Sequence, residues 1–246
     1  FEKKIIPGVR LGAPNAFPSM RNALTHNITA KVDESDGLRI GYGLVQNIMP
    51  HTRQDEYSTE MTELSFDSAV LENEYLKARF MPGLGARLWS LYDKEKSRDL
   101  VVENPVFKPG NFAVRNAWAA GGVEWNIGSR GHDAYTCSPL FTAVTSDTDG
   151  TPVLRFYEFS RVRAVVYQMD FFLPEGSRFL FVRVRIENPN SHTVPMYWWS
   201  NTAVKEVEKQ RIIVPATTTF ANCCAGQWRI ASEGWGNMPS GCTRTP

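Results

Sequence analysis

The sequence predicts an all-β protein, an antiparallel β-sandwich or a related all-β architecture, on three observations. Apolar and polar residues alternate at period two through much of residues 61–216. Pro, Gly and Asn punctuate those runs at the spacing of turns. No window of useful length carries a sustained apolar stripe at helical period. Short, evenly spaced strands of this kind pack as two sheets over one core.

Residues 1–60 are rich in breakers, with Pro7-Gly8, Pro14-Asn15, Pro18, Gly41 and Gly43, and they suit an N-terminal arm with short edge strands. In residues 75–81, Leu76, Ala78 and Phe80 share one face, with Lys77 and Arg79 opposite. Pro82-Gly83 and Gly85 interrupt before residues 87–92 resume as a strand, and 93–99 form a polar turn. Residues 153–159 and 165–172 read as two more strands. The clearest is 180–187, where Leu180, Val182, Val184 and Ile186 should be buried together while Arg183 and Arg185 point away. Asn188-Pro189-Asn190 is a turn, and 195–201 is a further strand.

The sandwich is thereby expected over residues 61–216. Residues 217–246 lack Leu and Val, hold three of the four cysteines and show no alternation. An irregular tail that adds little to the fold is expected there, with an unpaired sheet edge near residues 212–214.

A formal net charge of +1 and the absence of a basic run exclude a dedicated nucleic-acid surface. No apolar stretch reaches membrane-spanning length. Cys137, Cys223, Cys224 and Cys242 form no CxxC pair, and with four histidines they offer no zinc spacing, so neither metal nor cofactor is expected. The compartment is not readable.

Residues 118–139 carry the chemistry. Trp118, Glu124, Trp125, Asn126, Arg130, His132, Asp133 and Tyr135 are crowded into one Gly-rich segment. Flat indoles mixed with polar and ionisable groups suit a hydrated ring such as a sugar. The same residues would equally serve a loop whose aromatics plug the core and whose charges pair. Glu124 beside an indole is a candidate acid or base, and His132 titrates nearest neutral pH, so the two are the candidate catalytic pair. Trp198 and Trp199 are adjacent on a strand, so their rings must face opposite sides. One belongs to the core and the other to a ligand platform, with Asn201 on the face of Trp199. Trp118, Trp125, Asn126, Arg130, Trp198, Trp199 and Asn201 are the candidate binding residues. Glycoside hydrolysis needs a second carboxylate, for which Glu158 and Glu206 are candidates.

The run VLENEYLKARFMPGLGARLWSLYDKEKSRDL resembles the strand–turn–strand opening of galactose-mutarotase-like domains. Together with NPVFKPGNFAVRNAWAAGGVEWNIGSRGHDAYTCSP, TPVLRFYEFSRVRAVVYQMDFFLP and VPMYWWSNTAVKE, it is similar to one bacterial family of that class. That family has no assigned function and usually precedes tetratricopeptide repeats. The resemblance covers roughly residues 66–216. It implies a large twisted sandwich, a carbohydrate ligand and a cleft on the concave sheet face. Mutarotases use a His and a Glu to open the sugar ring, although no motif places Glu124 or His132 on those positions. From Thr217 the chain leaves the family pattern and carries no repeat segment, which predicts a sandwich short of its last strands. The function expected is carbohydrate binding with acid–base chemistry at an anomeric centre, hydrolysis or epimerisation. The alternative is a non-catalytic glycan-recognition module of a repeat-containing protein.

Overall fold

In the computed structural model, residues 1–18, 48–127, 131–195, 198–210 and 213 are described in full, and 218–223 and 227–233 by their backbone. Among these residues the alternating runs become strands, with one 3-10 turn at Pro82–Leu84 and no α-helix. The chain divides into two units, Phe1–Arg21 with Val45–Lys205, and Asn22–Leu44 with Glu206–Pro246.

The first unit is an antiparallel β-sandwich. Its larger sheet runs in the order β1 (Glu2–Gly8), β2 (Thr62–Glu72), β3 (Leu76–Met81), β4 (Arg87–Asp93), β8 (Val123–Ile127) and β13 (Trp198–Thr202), and the short β5 (Arg98–Asp99) pairs with β4. Its smaller sheet is β12 (Phe181–Glu187), β11 (Val165–Phe172), β10 (Pro152–Ser160) and β9 (Phe141–Ser146). A separate ribbon pairs β6 (Gly110–Ala113) with β7 (Asn116–Trp118).

Alternation decides what each sheet face buries. Ala78, Phe80, Leu88, Val123 and Ile127 of the larger sheet meet Leu154, Phe156, Tyr167, Met169 and Phe171 of the smaller one. Phe80 lies at the junction, its ring 4.5 Å from that of Phe171 and 5.8 Å from that of Phe156. A second cluster of Ile6, Met81, Leu84, Trp89, Phe107, Ala117 and Cys137 covers the opposite face of the larger sheet. That sheet is therefore buried on both sides. One irregularity matters: Arg79 pairs with Ser90 but Phe80 pairs with Leu88, so Trp89 is the extra residue of a bulge. The bulge sends Trp89 into the second cluster while Leu88 and Leu91 both pack on the sandwich core.

Two expectations need correction. Leu180, Val184 and Ile186 pack on the sandwich core but are only half-buried, and Val182 is 43% exposed. The reason is position, since among the described residues β12 is the outer strand of its sheet. Arg183 points the other way as expected, reaching Asp147 and Asp170. In the second unit, β14 (Thr218–Cys223) and β15 (Gln227–Glu233) form an antiparallel hairpin with a register shift at Thr219/Phe220, so the tail is not wholly irregular. The edge expected near residues 212–214 lies largely outside the described residues.

Candidate functional site

Residues 121–127 of the Gly-rich segment are a turn and an interior strand, and residues 131–139 are a loop. Gly121 and Gly122 both hold positive φ, and a Cβ on Gly122 would stand 2.0 Å from the Leu88 carbonyl oxygen. This close approach delivers β8 against β4, where Leu88 pairs with Val123. From there the pleat alternates. Val123, Trp125 and Ile127 pack on the sandwich core, so Glu124 and Asn126 face the other way.

Glu124 is 3% exposed and fully engaged. Its Oε2 accepts from Arg87 at 3.0 Å and from the Trp118 indole N–H at 2.6 Å, and its Oε1 lies 2.6 Å from His132 Nδ1. Burial by itself would raise the Glu124 carboxyl, but the hydrogen bond from His132, the Arg87 charge and the Trp118 bond outweigh it. The net shift is downward. The carboxylate is thus held ionised. Arg87, 2% exposed, also donates to the Gly121 carbonyl at 2.7 Å, so one guanidinium joins the Gly-Gly turn to the acid beyond it.

His132, like Trp118, is half-buried. Its ring is flanked by Trp118, with centroids 5.1 Å apart, and by Trp199, at 5.4 Å. Its carbonyl accepts from Val114 N–H, which ties its loop to the β6–β7 ribbon. Asn126 Oδ1 accepts the Asp133 N–H at 2.7 Å, while Asp133 Oδ2 accepts the Ile127 N–H at 2.9 Å, locking the loop onto β8. Burial pushes the Asp133 carboxyl up to about 6, partly opposed by the N–H groups of Ile127, Tyr135 and Ala134.

Strand β13 completes the face. Trp199 pairs with Asn126 and Asn201 with Glu124, whereas Trp198 pairs with Ile127 and Ser200 with Trp125. Trp199 and Asn201 therefore share the Glu124 face. Trp125 and Trp198 stack on each other, 6.5 Å apart and 14° from parallel, on the sandwich-core side. Trp125, expected in one cleft with Glu124, is a core residue on the opposite face. Its indole N–H is spent on the Ala86 carbonyl. Arg130 lies outside the described residues. Glu158 caps the Phe159 N–H on the smaller sheet, and Glu206 belongs to the second unit.

Sequence reasoning missed Arg87. Its signal was an arginine inside an otherwise apolar run, GARLW, where an unpaired charge is too costly to bury. Three buried nitrogens on this face, Arg87 Nε, Asn126 Nδ2 and Trp199 Nε1, have no partner among the described residues. Also among them, no group of three His, Cys, Asp or Glu side chains is arranged to hold a metal, and no helix is long and apolar enough to cross a membrane.

The fold has a solved counterpart. A TPR-domain containing protein from Parabacteroides distasonis, known from a crystal structure, matches at a TM-score of 0.69 and 20% identity, over 89% of this chain and 34% of that one. The chain thus spans about a third of that protein, and the likeness establishes the architecture. In sequence, the family described as a domain of unknown function, DUF5107, matches residues 44–241. A match over that much of the chain makes the protein a member of the DUF5107 family.

Proposed function

We propose that the face carrying Glu124, His132, Trp118 and Trp199 binds a carbohydrate and moves a proton at its anomeric centre. The observation that carries this reading is the state of His132. Its Nδ1 is held by a buried carboxylate, its ring is flanked by two indoles, and its Nε2 has no partner among the described residues. An orienting carboxylate on one ring nitrogen leaves the other to act as base or acid, the arrangement that general acid–base catalysis uses. Glu124 is then the positioning residue and His132 the group that meets substrate. The indoles offer flat apolar surface to a sugar's C–H face. Resemblance of the sequence to galactose-mutarotase-like domains supports the same substrate class. Epimerisation or anomer exchange fits better than glycoside hydrolysis, because Glu158, one of the expected second carboxylates, lies on the smaller sheet.

The second reading is a glycan-recognition module within a larger repeat-containing protein. It is favoured by the depth of Glu124, whose three partners would serve an inert scaffold equally well. The likeness to part of a TPR-domain containing protein also supports it. Anomer exchange followed by NMR across a panel of free sugars, with glycan binding measured in parallel, separates the two. The catalytic reading expects exchange that His132→Ala abolishes and Glu124→Gln slows at least tenfold. Binding that persists without turnover, unchanged by either variant, leaves the module.

A further inference from the structure

A cavity of about 530 Å³ lies between β2, the 3-10 turn and the segment after β1. Its lining is mixed: Leu84 and Phe107 are buried in its floor with Cys137, half-buried Leu11, Leu64 and Phe66 flank it, and polar atoms make up the rest of its exposed surface. Ile6 pairs with Leu64 and Lys4 with Phe66, so these side chains share the second-cluster face. Glu63 and Ser65 also line the cavity, although alternation along β2 turns them toward its other face. Pairing of β2 with β3 begins only at Ala69, so alternate N–H and C=O groups of residues 62–68 have no strand partner on that side among the described residues. Exposed Arg10 also lines the cavity, and no carboxylate pairs with it among the described residues. A Cβ on Gly83 would meet nothing within 4 Å, which shows how open the space above the turn is.

We propose that this cavity is a second binding site, for a small organic anion with a flat apolar body. The volume is that of small-molecule sites, the walls supply the burial, and the single unpaired guanidinium supplies the recognition of charge. A neutral apolar molecule would leave Arg10 unanswered. A strongly polar one would leave five apolar side chains wetted. Cys137 takes no chemical part, since burial holds its thiol up at about 12 and keeps it protonated.

The test uses two fluorescent probes of nearly equal shape, the anionic 8-anilinonaphthalene-1-sulfonate and the neutral N-phenyl-1-naphthylamine, titrated against the folded chain. Gly83→Phe, which fills the cavity from a position with room for the ring, should weaken both probes at least tenfold. Leu11→Trp fills it from the opposite wall and should do the same, which protects the test if either variant folds poorly by circular dichroism. Arg10→Gln should weaken the anionic probe about tenfold, the size of one charged hydrogen bond, and leave the neutral one unchanged. Binding of the sulfonate that neither filling variant reduces would place it on another apolar surface, and the proposal would fall. An equal loss of both probes in Arg10→Gln would remove the anion from it. Neither result bears on the sugar reading of the His132 face.

Discussion

Gly122 lies against Leu88 so tightly that its missing side chain is what lets two strands touch: a Cβ there would stand 2.0 Å from the Leu88 carbonyl oxygen and 3.3 Å from Trp89 Cα. The backbone adds its own restriction, with φ at 63°. Gly122→Ala must therefore accept left-handed strain and push β8 off β4. The expected loss is about 3 kcal/mol or more, read as a lowered midpoint in urea unfolding. A loss under about 1 kcal/mol would mean the approach to β4 relaxes easily.

The Arg87–Glu124 pair predicts non-additivity. Replacing Arg87 by Leu leaves the buried Glu124 carboxylate with Trp118 and His132 but without its guanidinium, and should lower stability by about 3–5 kcal/mol. Replacing both by Leu removes the charge to be compensated and should recover much of that loss. Equilibrium unfolding of the two singles and the double measures the coupling. Strict additivity would show that the two groups act independently.

His51 predicts a pH dependence of defined sign. Burial, then the charges of Arg115 and Arg161, lower its imidazole from 6.5 to about 4. The unfolded chain therefore binds the extra proton between about pH 6.5 and 4, and stability falls as pH drops through that window. The size is about 3 kcal/mol at full effect. Asp133 slopes the opposite way, because its raised carboxyl holds a proton in the folded chain and stability falls as pH rises from about 4 to about 6. His51→Gln isolates the first effect. Its stability should decline less than that of the parent chain between pH 7 and pH 4, and parallel profiles would show that His51 does not titrate differently on folding.

Cys137 should be inert in the native state. It is 9% exposed, and burial raises its thiol to about 12, so little thiolate forms at pH 8. Alkylation by iodoacetamide, read by peptide mass spectrometry, should modify Cys137 only at the rate of unfolding, and prompt labelling would show an opening that the static fold does not contain.

Legibility of the sequence followed burial. Strands β3, β10 and β11 are readable because apolar side chains fall on one face and polar ones on the other, as in Leu76, Ala78 and Phe80 against Lys77 and Arg79. Strand β8 is not, because the larger sheet is covered on both sides. Its polar positions, Glu124 and Asn126, are as buried as its apolar ones, so the segment resembles a site loop with glycines. The opposite facing of Trp198 and Trp199 follows from the pleat alone. Which of them meets His132 does not, since it depends on the pairing of β13 with β8. Arg87 was invisible for the same reason: 37 residues separate it from Glu124, and only the neighbouring of β4 and β8 closes that distance. The exposure of Val182 required knowing that, among the described residues, β12 has a strand neighbour on one side only.

The Asn126–Trp199 pairing limits how the length of this chain can vary. An insertion of one residue within β8 or β13 would exchange the contents of the two sheet faces, carrying an indole into the place of an amide and Glu124 into the sandwich core. Only even-numbered changes, or a compensating bulge, keep the two runs in phase. The hairpin turn between β9 and β10 has no such restriction. Gly150 there has open space around it and exposed neighbours, so an epitope or fluorophore can be spliced in at that turn with the arrangement around His132 left undisturbed.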